Sequence, residues 1–94
     1  MAIGVLRLHL HLPGCSSLKE KRGRLQPLMN KLRREFNLSV AEVDHQDVWR
    51  SAGIACALVS NDRRHLDSSL QRVAQWLEAN WPDVEMVDDE IEII

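Results

Sequence analysis

His9 and His11 stand two residues apart in an alternating stretch, so on an extended chain both imidazoles project from one face. Glu42 is the carboxylate placed to join them over the small Ser51, at about 9–10 Å by inter-strand spacing. Such a trio could hold Zn²⁺ or another divalent ion. A simpler arrangement uses the same residues: a polar sheet face on which Arg7 and the histidines pair with Glu90 or Glu92. That arrangement is adopted, so neither a metal nor a cofactor is expected. Cys15 lies just before a basic segment, where helix amides and Lys19 could favour its thiolate. Nucleophilic catalysis also needs a base and an oxyanion site, and only His11 offers itself as a base. Cys15 is therefore read as a small, partly buried residue in a turn, and Cys56 as packing. With no nucleotide-binding loop and no nucleophile–base pair, enzymatic activity is not expected. What remains is phosphate recognition. Lys19, Arg22, Lys31, Arg33 and Arg34 in the first helical segment, with Arg63 and Arg64 opening the second, are the candidates for contacts to RNA phosphates. The competing reading of these residues is a solvated surface, partly neutralised by Glu35 and Asp62.

The element that carries most of these cations is the segment from Ser17 to Phe36. On a 100° wheel Leu18, Leu25, Leu28, Met29, Leu32 and Phe36 form one apolar stripe, which predicts a helix with one buried face. Ser17 followed by Glu20 reads as a capping box. Arg33 and Arg34 complement the negative end of the helix dipole. Seven of the twelve Lys and Arg residues lie here, and Lys19, Arg22 and Arg33 share a flank clear of the stripe. A second helix runs from Arg63 to about Asn80, capped by Asn61 or Asp62, with Leu66, Leu70, Val73 and Leu77 as its stripe. If it starts beside the end of the first helix, Lys31, Arg33, Arg34, Arg63, Arg64 and His65 gather in one basic pole suited to phosphate.

The strands are marked by alternation. Residues 2–12 place Leu6, Leu8, Leu10 and Leu12 on one face, and Pro13-Gly14 stops them. Residues 38–45 form a second strand, His45 to Val48 a polar turn, and Arg50 to Ser60 a third strand. Pairing Asp44 with Trp49 puts Val40, Glu42, Asp44, Trp49, Ser51, Gly53, Ala55 and Ala57 on one face. Ala41, Val43, Ile54, Cys56 and Leu58 then take the other. Residues 83–94 form the last strand, and the break in alternation at Asp88-Asp89 reads as a bulge. The order is βαββαβ, and both helical stripes need the same sheet face. Right-handed crossovers then predict a single domain over residues 1–94, an α+β two-layer sandwich of the ferredoxin-like type with antiparallel sheet order 4-1-3-2.

Four stretches, IGVLRLHLHLPG, SLKEKR, VAEVDHQDVWRSA and ALVSNDRRHL, resemble the YlxP-like family of small bacterial proteins, a domain of unknown function, over nearly the whole chain. The resemblance implies the same ferredoxin-like fold. It also implies a genomic setting shared with transcription and translation genes, including that of ribosome-binding factor A, and it brings no catalytic residues.

Net charge is only −2, but it is segregated: residues 19–34 carry seven basic and one acidic side chain, residues 83–92 six acidic and none basic. No apolar run approaches the length that spans a bilayer, and the start lacks the pattern of a signal peptide. Two cysteines without C-x-x-C spacing suit a reduced compartment. A cytoplasmic location and no membrane partner are expected. The favoured function is a non-enzymatic RNA- or ribosome-associated binding protein that uses its basic helix surfaces. A sheet that offers only Trp49 lacks the aromatic pairs that stack bases, so any contact goes through the helices. The alternative is a homodimeric structural or regulatory module in which a partner copy covers the smooth face of Ile3, Val5, Gly53, Ala55, Ala57 and Val59.

Overall fold

The computed structural model describes residues 1–94. Strand β1 (Ala2–His11) carries the leucine alternation into the core: Leu6, Leu8, Leu10 and the following Leu12 are all at most 2% exposed. Helix α1 (Leu18–Phe36) starts at its expected cap, with the Ser17 hydroxyl accepting from Glu20 N at 3.0 Å. The Glu20 carboxylate accepts in turn from Ser16 N at 3.1 Å, one residue before the position a capping box uses. Pro27 lies inside the helix and leaves the Gly23 carbonyl without a donor. Both residues face solvent, so water can satisfy that carbonyl. The helix ends at Asn37, whose left-handed φ of 53° suits an amide side chain. Strands β2 (Ser39–Asp44) and β3 (Ser51–Ser60), helix α2 (Arg63–Asn80) and strand β4 (Glu85–Ile93) follow. Asp62 caps α2, accepting from the amides of Arg64 at 2.9 Å and His65 at 3.4 Å.

The sheet is fully antiparallel in the order β2-β3-β1-β4, as expected. The helical stripes meet on one of its faces: Leu25, Leu28 and Leu32 of α1 join Leu70, Val73 and Leu77 of α2 in a single core with the even-numbered leucines of β1. Helix α1 lies along β2, whereas α2 rests on β4, β1 and β3. Gly4 permits the close approach of α2, since a Cβ there would stand 2.8 Å from Leu70 Cδ1.

One register departs from expectation, and it changes the composition of both sheet faces. Asp44 pairs with Gly53, not Trp49, and Ser39, Val40, Ala41 and Glu42 pair with Ala57, Cys56, Ala55 and Ile54. The loop joining β2 to β3 is accordingly longer than the four-residue turn the sequence suggests. His45 adopts a left-handed φ of 59° and accepts from Val48 N at 3.0 Å, after which Trp49 and Arg50 remain outside the sheet. Val40 and Glu42 therefore join Ile54 and Cys56 on the helix side, and Ala41 turns outward; an odd offset in pairing exchanges the two faces of a strand. A bulge at Val43 brings Asp44 over Gly53, where a Cβ would meet Asp44 Cβ at 2.7 Å. The expected break in β4 is also present, one residue earlier: Val87 is the extra residue between the His9–Asp88 and Leu10–Met86 pairs.

Both thiols are buried. Cys15 follows the expected turn but is fully rather than partly buried, at 0% exposed, and its Sγ donates to the Ser17 carbonyl at 3.4 Å. Burial pushes the Cys56 thiol up to about 12, against a smaller opposing influence of the Arg33 charge. Neither thiol should react with an aromatic disulfide reagent in the native state, and both should react once the chain is unfolded. The unfolded Cys56 ionises near 9.0 while the folded one keeps its proton to about 12, so the unfolded state binds fewer protons in that window. Stability should consequently fall as pH rises above 9, by about 1.4 kcal/mol from this group between pH 8 and 10. Urea titrations of wild type and Cys56→Ala check it, the variant losing less over the same interval.

Candidate functional site

Lys21 sits only about 40° from Leu25 on the helical wheel, so α1 carries its ammonium into the core side of the molecule. The residue is 1% exposed. Its Nζ donates to the His45 carbonyl at 2.6 Å and lies 2.8 Å from Glu42 Oε2. The contact to Glu42 has the distance of an ion pair without hydrogen-bond geometry, and that buried oxygen has no other partner. The Glu42 side chain keeps a fifth of its exposure against 2% for that of Lys21, so the pair is only partly desolvated. A polar recess of about 300 Å³ opens beside it, walled by Leu18, Arg22, Gln46 and Asp47. Held by these two acceptors, the Lys21 ammonium ties α1 to β2 and the loop after it. The helical wheel contains the signal for this burial, which counting Lys21 with the other cations of the helix conceals.

The proposed histidine trio does not assemble. Glu42 lies on the helix side of the sheet, whereas His9 and His11 lie on the open side, where His11 pairs with Ser51. His9 stacks on His45 with ring centroids 5.0 Å apart and planes inclined by 21°. No three His, Cys, Asp or Glu side chains come together as a metal site would require. Arg7 makes the alternative contacts expected of it, to Glu92 at 2.9 Å and Glu90 at 3.9 Å, whereas neither His9 nor His11 makes the expected pairing with a carboxylate.

The seven phosphate-binding candidates separate by what already holds them. Arg33 donates to Asn30 Oδ1 at 2.8 Å and to the Val40 carbonyl of β2 at 2.7 Å. Arg63 donates to the Ile93 carbonyl of β4 at 3.3 Å, and Lys31 pairs with Glu35 at 3.0 Å. Lys19, Arg22, Arg34 and Arg64 are exposed and make no ion pair. The end of α1 does lie beside the start of α2, since Phe36 and His65 line one groove. The guanidinium groups of Arg33 and Arg63 nevertheless do not meet, because β2 and β4 are opposite edges of the sheet. Asp62 also occupies the first amides of α2, where an anion was envisaged. Arg24, not among the candidates, bridges Asp83 at 2.9 Å and the Pro13 carbonyl at 2.8 Å. The hydrogen bond to Asp83 raises its pKa against desolvation that lowers it.

The groove between the helices is a feature the sequence did not disclose. It encloses about 420 Å³, and Phe36, Leu38, Leu58 and Val73 form its apolar walls. Beside it Phe36 meets Trp76 edge-on at 5.7 Å, and Trp76 lies 6.1 Å from Trp81. Trp76 follows Val73 by three residues, a spacing that places it beside the apolar stripe of α2.

A family model described as "Protein of unknown function (DUF503)" matches residues 3–91 of this chain. The Uncharacterized protein YlxP of Bacillus subtilis (strain 168) is 31% identical over 83 residues, which cover 88% of this chain and 89% of the relative. Among solved structures, the cofactor-independent oxygenase SnoaB from Streptomyces nogalater aligns over 99% of this chain and 90% of its own, at 11% identity and a TM-score of 0.47. A likeness that weak carries no argument about activity.

The Lys21–Glu42 tie joins two of the stretches that carry the family resemblance, SLKEKR and VAEVDHQDVWRSA. Lys21→Met, which keeps the apolar stem and strands the carboxylate, should cost about 3 kcal/mol, the low end for buried pairs because Glu42 stays partly hydrated. The double variant Lys21→Met/Glu42→Leu should recover part of that loss. Chemical denaturation of wild type, Lys21→Met, Glu42→Leu and the double variant is the check, and strictly additive losses would contradict the coupling.

Proposed function

The chain belongs to the DUF503 family of proteins of unknown function, and we propose that it acts by binding the phosphates of structured or ribosomal RNA, without catalysis, in the cytoplasm. The observation that carries this reading is the placement of charge. Helix α1 lies along β2 at one edge of the sheet, with Lys19, Arg22 and Arg34 exposed and unpaired. The carboxylates of β4, from Glu85 to Glu92, lie at the opposite edge, whereas Asp83 before it pairs with Arg24 of α1. A molecule with near-neutral total charge thus offers the unpaired cations of one flank to a polyanion while the carboxylates of β4 stand at the other edge. Arg64 extends the cationic surface at the far end of the helix layer. No helix is long and apolar enough to cross a membrane, and two buried free thiols suit a reducing compartment. Trp49 is half exposed in the loop between β2 and β3 and has no aromatic neighbour, so base stacking is not the proposed mode.

Binding of this kind releases counterions and falls steeply with salt. Fluorescence anisotropy with a ribosomal RNA fragment should show an affinity that weakens when Lys19, Arg22, Arg34 or Arg64 is changed to Ala. Each change should reduce the salt slope by about one contact's worth. Arg33 and Arg63 are poorer choices because each also holds a strand carbonyl. Undetectable binding at low ionic strength, or a quadruple variant that binds as wild type does, would defeat the reading.

A second reading has its own observation. Ile3, Val5, Ala55, Ala57 and Val59 lie side by side on the helix-free face, and Val59 is 59% exposed. A second copy would cover this strip more readily than either sheet edge. Edge strand β4 presents carboxylates, and two carbonyls of β2 already accept from Arg33 and Gln46. Sedimentation equilibrium should then find a dimer that Ala55→Glu dissociates, whereas a wild-type monomer at high micromolar concentration would rule it out.

A further inference from the structure

We propose that the groove between the end of α1 and the first half of α2 binds a small carboxylate with an apolar body. The inference stands on residues that the RNA reading does not use. Phe36 and Leu58 are partly exposed above Leu38 and Val73, which are buried at 7% and 0%. These walls are fixed by the core beneath them, because Leu38 and Val73 belong to it and Phe36 and Leu58 pack against it. The volume of about 420 Å³ falls within the range of small-ligand sites.

The polar groups of the groove lie along one side of α2. His65, Ser69 and Arg72 follow at i, i+4 and i+7, so they share a helical face. Ser69 Oγ stands 3.5 Å from His65 Nε2, and Arg72 Nη2 donates to the same hydroxyl at 3.4 Å. Arg72 has no carboxylate partner, and no acidic side chain lines the groove. An unpaired guanidinium beside a hydroxyl and an imidazole is complementary to a carboxylate, which it can meet in two parallel hydrogen bonds. A bare inorganic anion would leave the apolar walls hydrated, and a neutral hydrocarbon would leave Arg72 without a counterion. Apolar burial and charge pairing are satisfied together only by a ligand that carries both.

The test is a titration of the ¹⁵N-labelled protein with octanoate, acetate and 1-octanol, followed through the backbone amides. Octanoate at millimolar concentration should shift the amides of Leu38, Leu58, Ser69 and Val73, while acetate leaves them in place and octanol binds more weakly. Arg72→Gln keeps an exposed polar side chain at this helical position and should weaken octanoate by about three- to fivefold, the range for an ion pair that stays partly hydrated. It should leave octanol binding unchanged. Octanoate shifts confined to the open sheet face, equal binding of octanol and octanoate, or an octanoate affinity indifferent to Arg72→Gln would each overturn the proposal, as would the absence of any shift.

Discussion

A lysine ammonium with 1% exposure must find its partners inside the protein, and Lys21 finds two on different elements, the Glu42 carboxylate of β2 and the carbonyl of His45 just beyond it. Both partners must be held where the ammonium arrives, which constrains the pairing of β2 against β3. With Glu42 on the helix side, Val40 enters the core beside it and Ala41 turns outward. Had the strand paired one residue out of phase, Glu42 would face the open side and leave the lysine charge buried without its carboxylate, a state that costs several kcal/mol. The bulge at Val43 accommodates the remaining mismatch, and Gly53 supplies the space it needs.

The same edge of the sheet bears the cationic helix. Arg33 completes the attachment of α1 to β2 through the Val40 carbonyl, so one guanidinium of the basic flank contributes to structure and the neighbouring side chains stay free. At the other edge, Arg63 and the apolar stripe of α2 secure β4, whose outward carboxylates discourage strand addition. The resulting separation of charge follows from topology: a basic first crossover and an acidic last strand come to opposite sides of the sheet only because β1 lies between β3 and β4. Its consequence is an asymmetry of charge that the total conceals.

Between the helices the packing is less complete. Phe36, Trp76 and Trp81 form an aromatic cluster beside a groove in which the core reaches the surface. The polar side chains of α2 that border this groove have few partners within the protein, in contrast to Lys21, Arg24 and Arg33. Cations that are satisfied hold the fold together, and those that are not remain exposed at the surface.

The helices, their caps, the leucine face of β1 and the break in β4 follow from periods of 3.6 and 2 and from residues within a few positions of one another, and the strand order follows from these elements with right-handed crossovers and one shared sheet face. These features were accordingly readable from the chain alone. The expected strand order likewise placed Arg7 near Glu90 and Glu92, and the sequence alone showed that the cations concentrate in α1. Three things lay beyond local spacing: the register of β2, the partnership of Lys21 with Glu42, and the division of the seven candidate cations into held and free. Each depends on which of several equivalent partners a side chain meets across the fold. His9, His11 and Glu42 make the point most plainly, because their types suit a metal and a single change of phase between two strands puts the carboxylate on the opposite side of the sheet from the imidazoles. Val40 and Glu42 were brought inward by the combined burial of Val40 and pairing of Glu42 with Lys21, a nonlocal choice that no periodicity within β2 could settle.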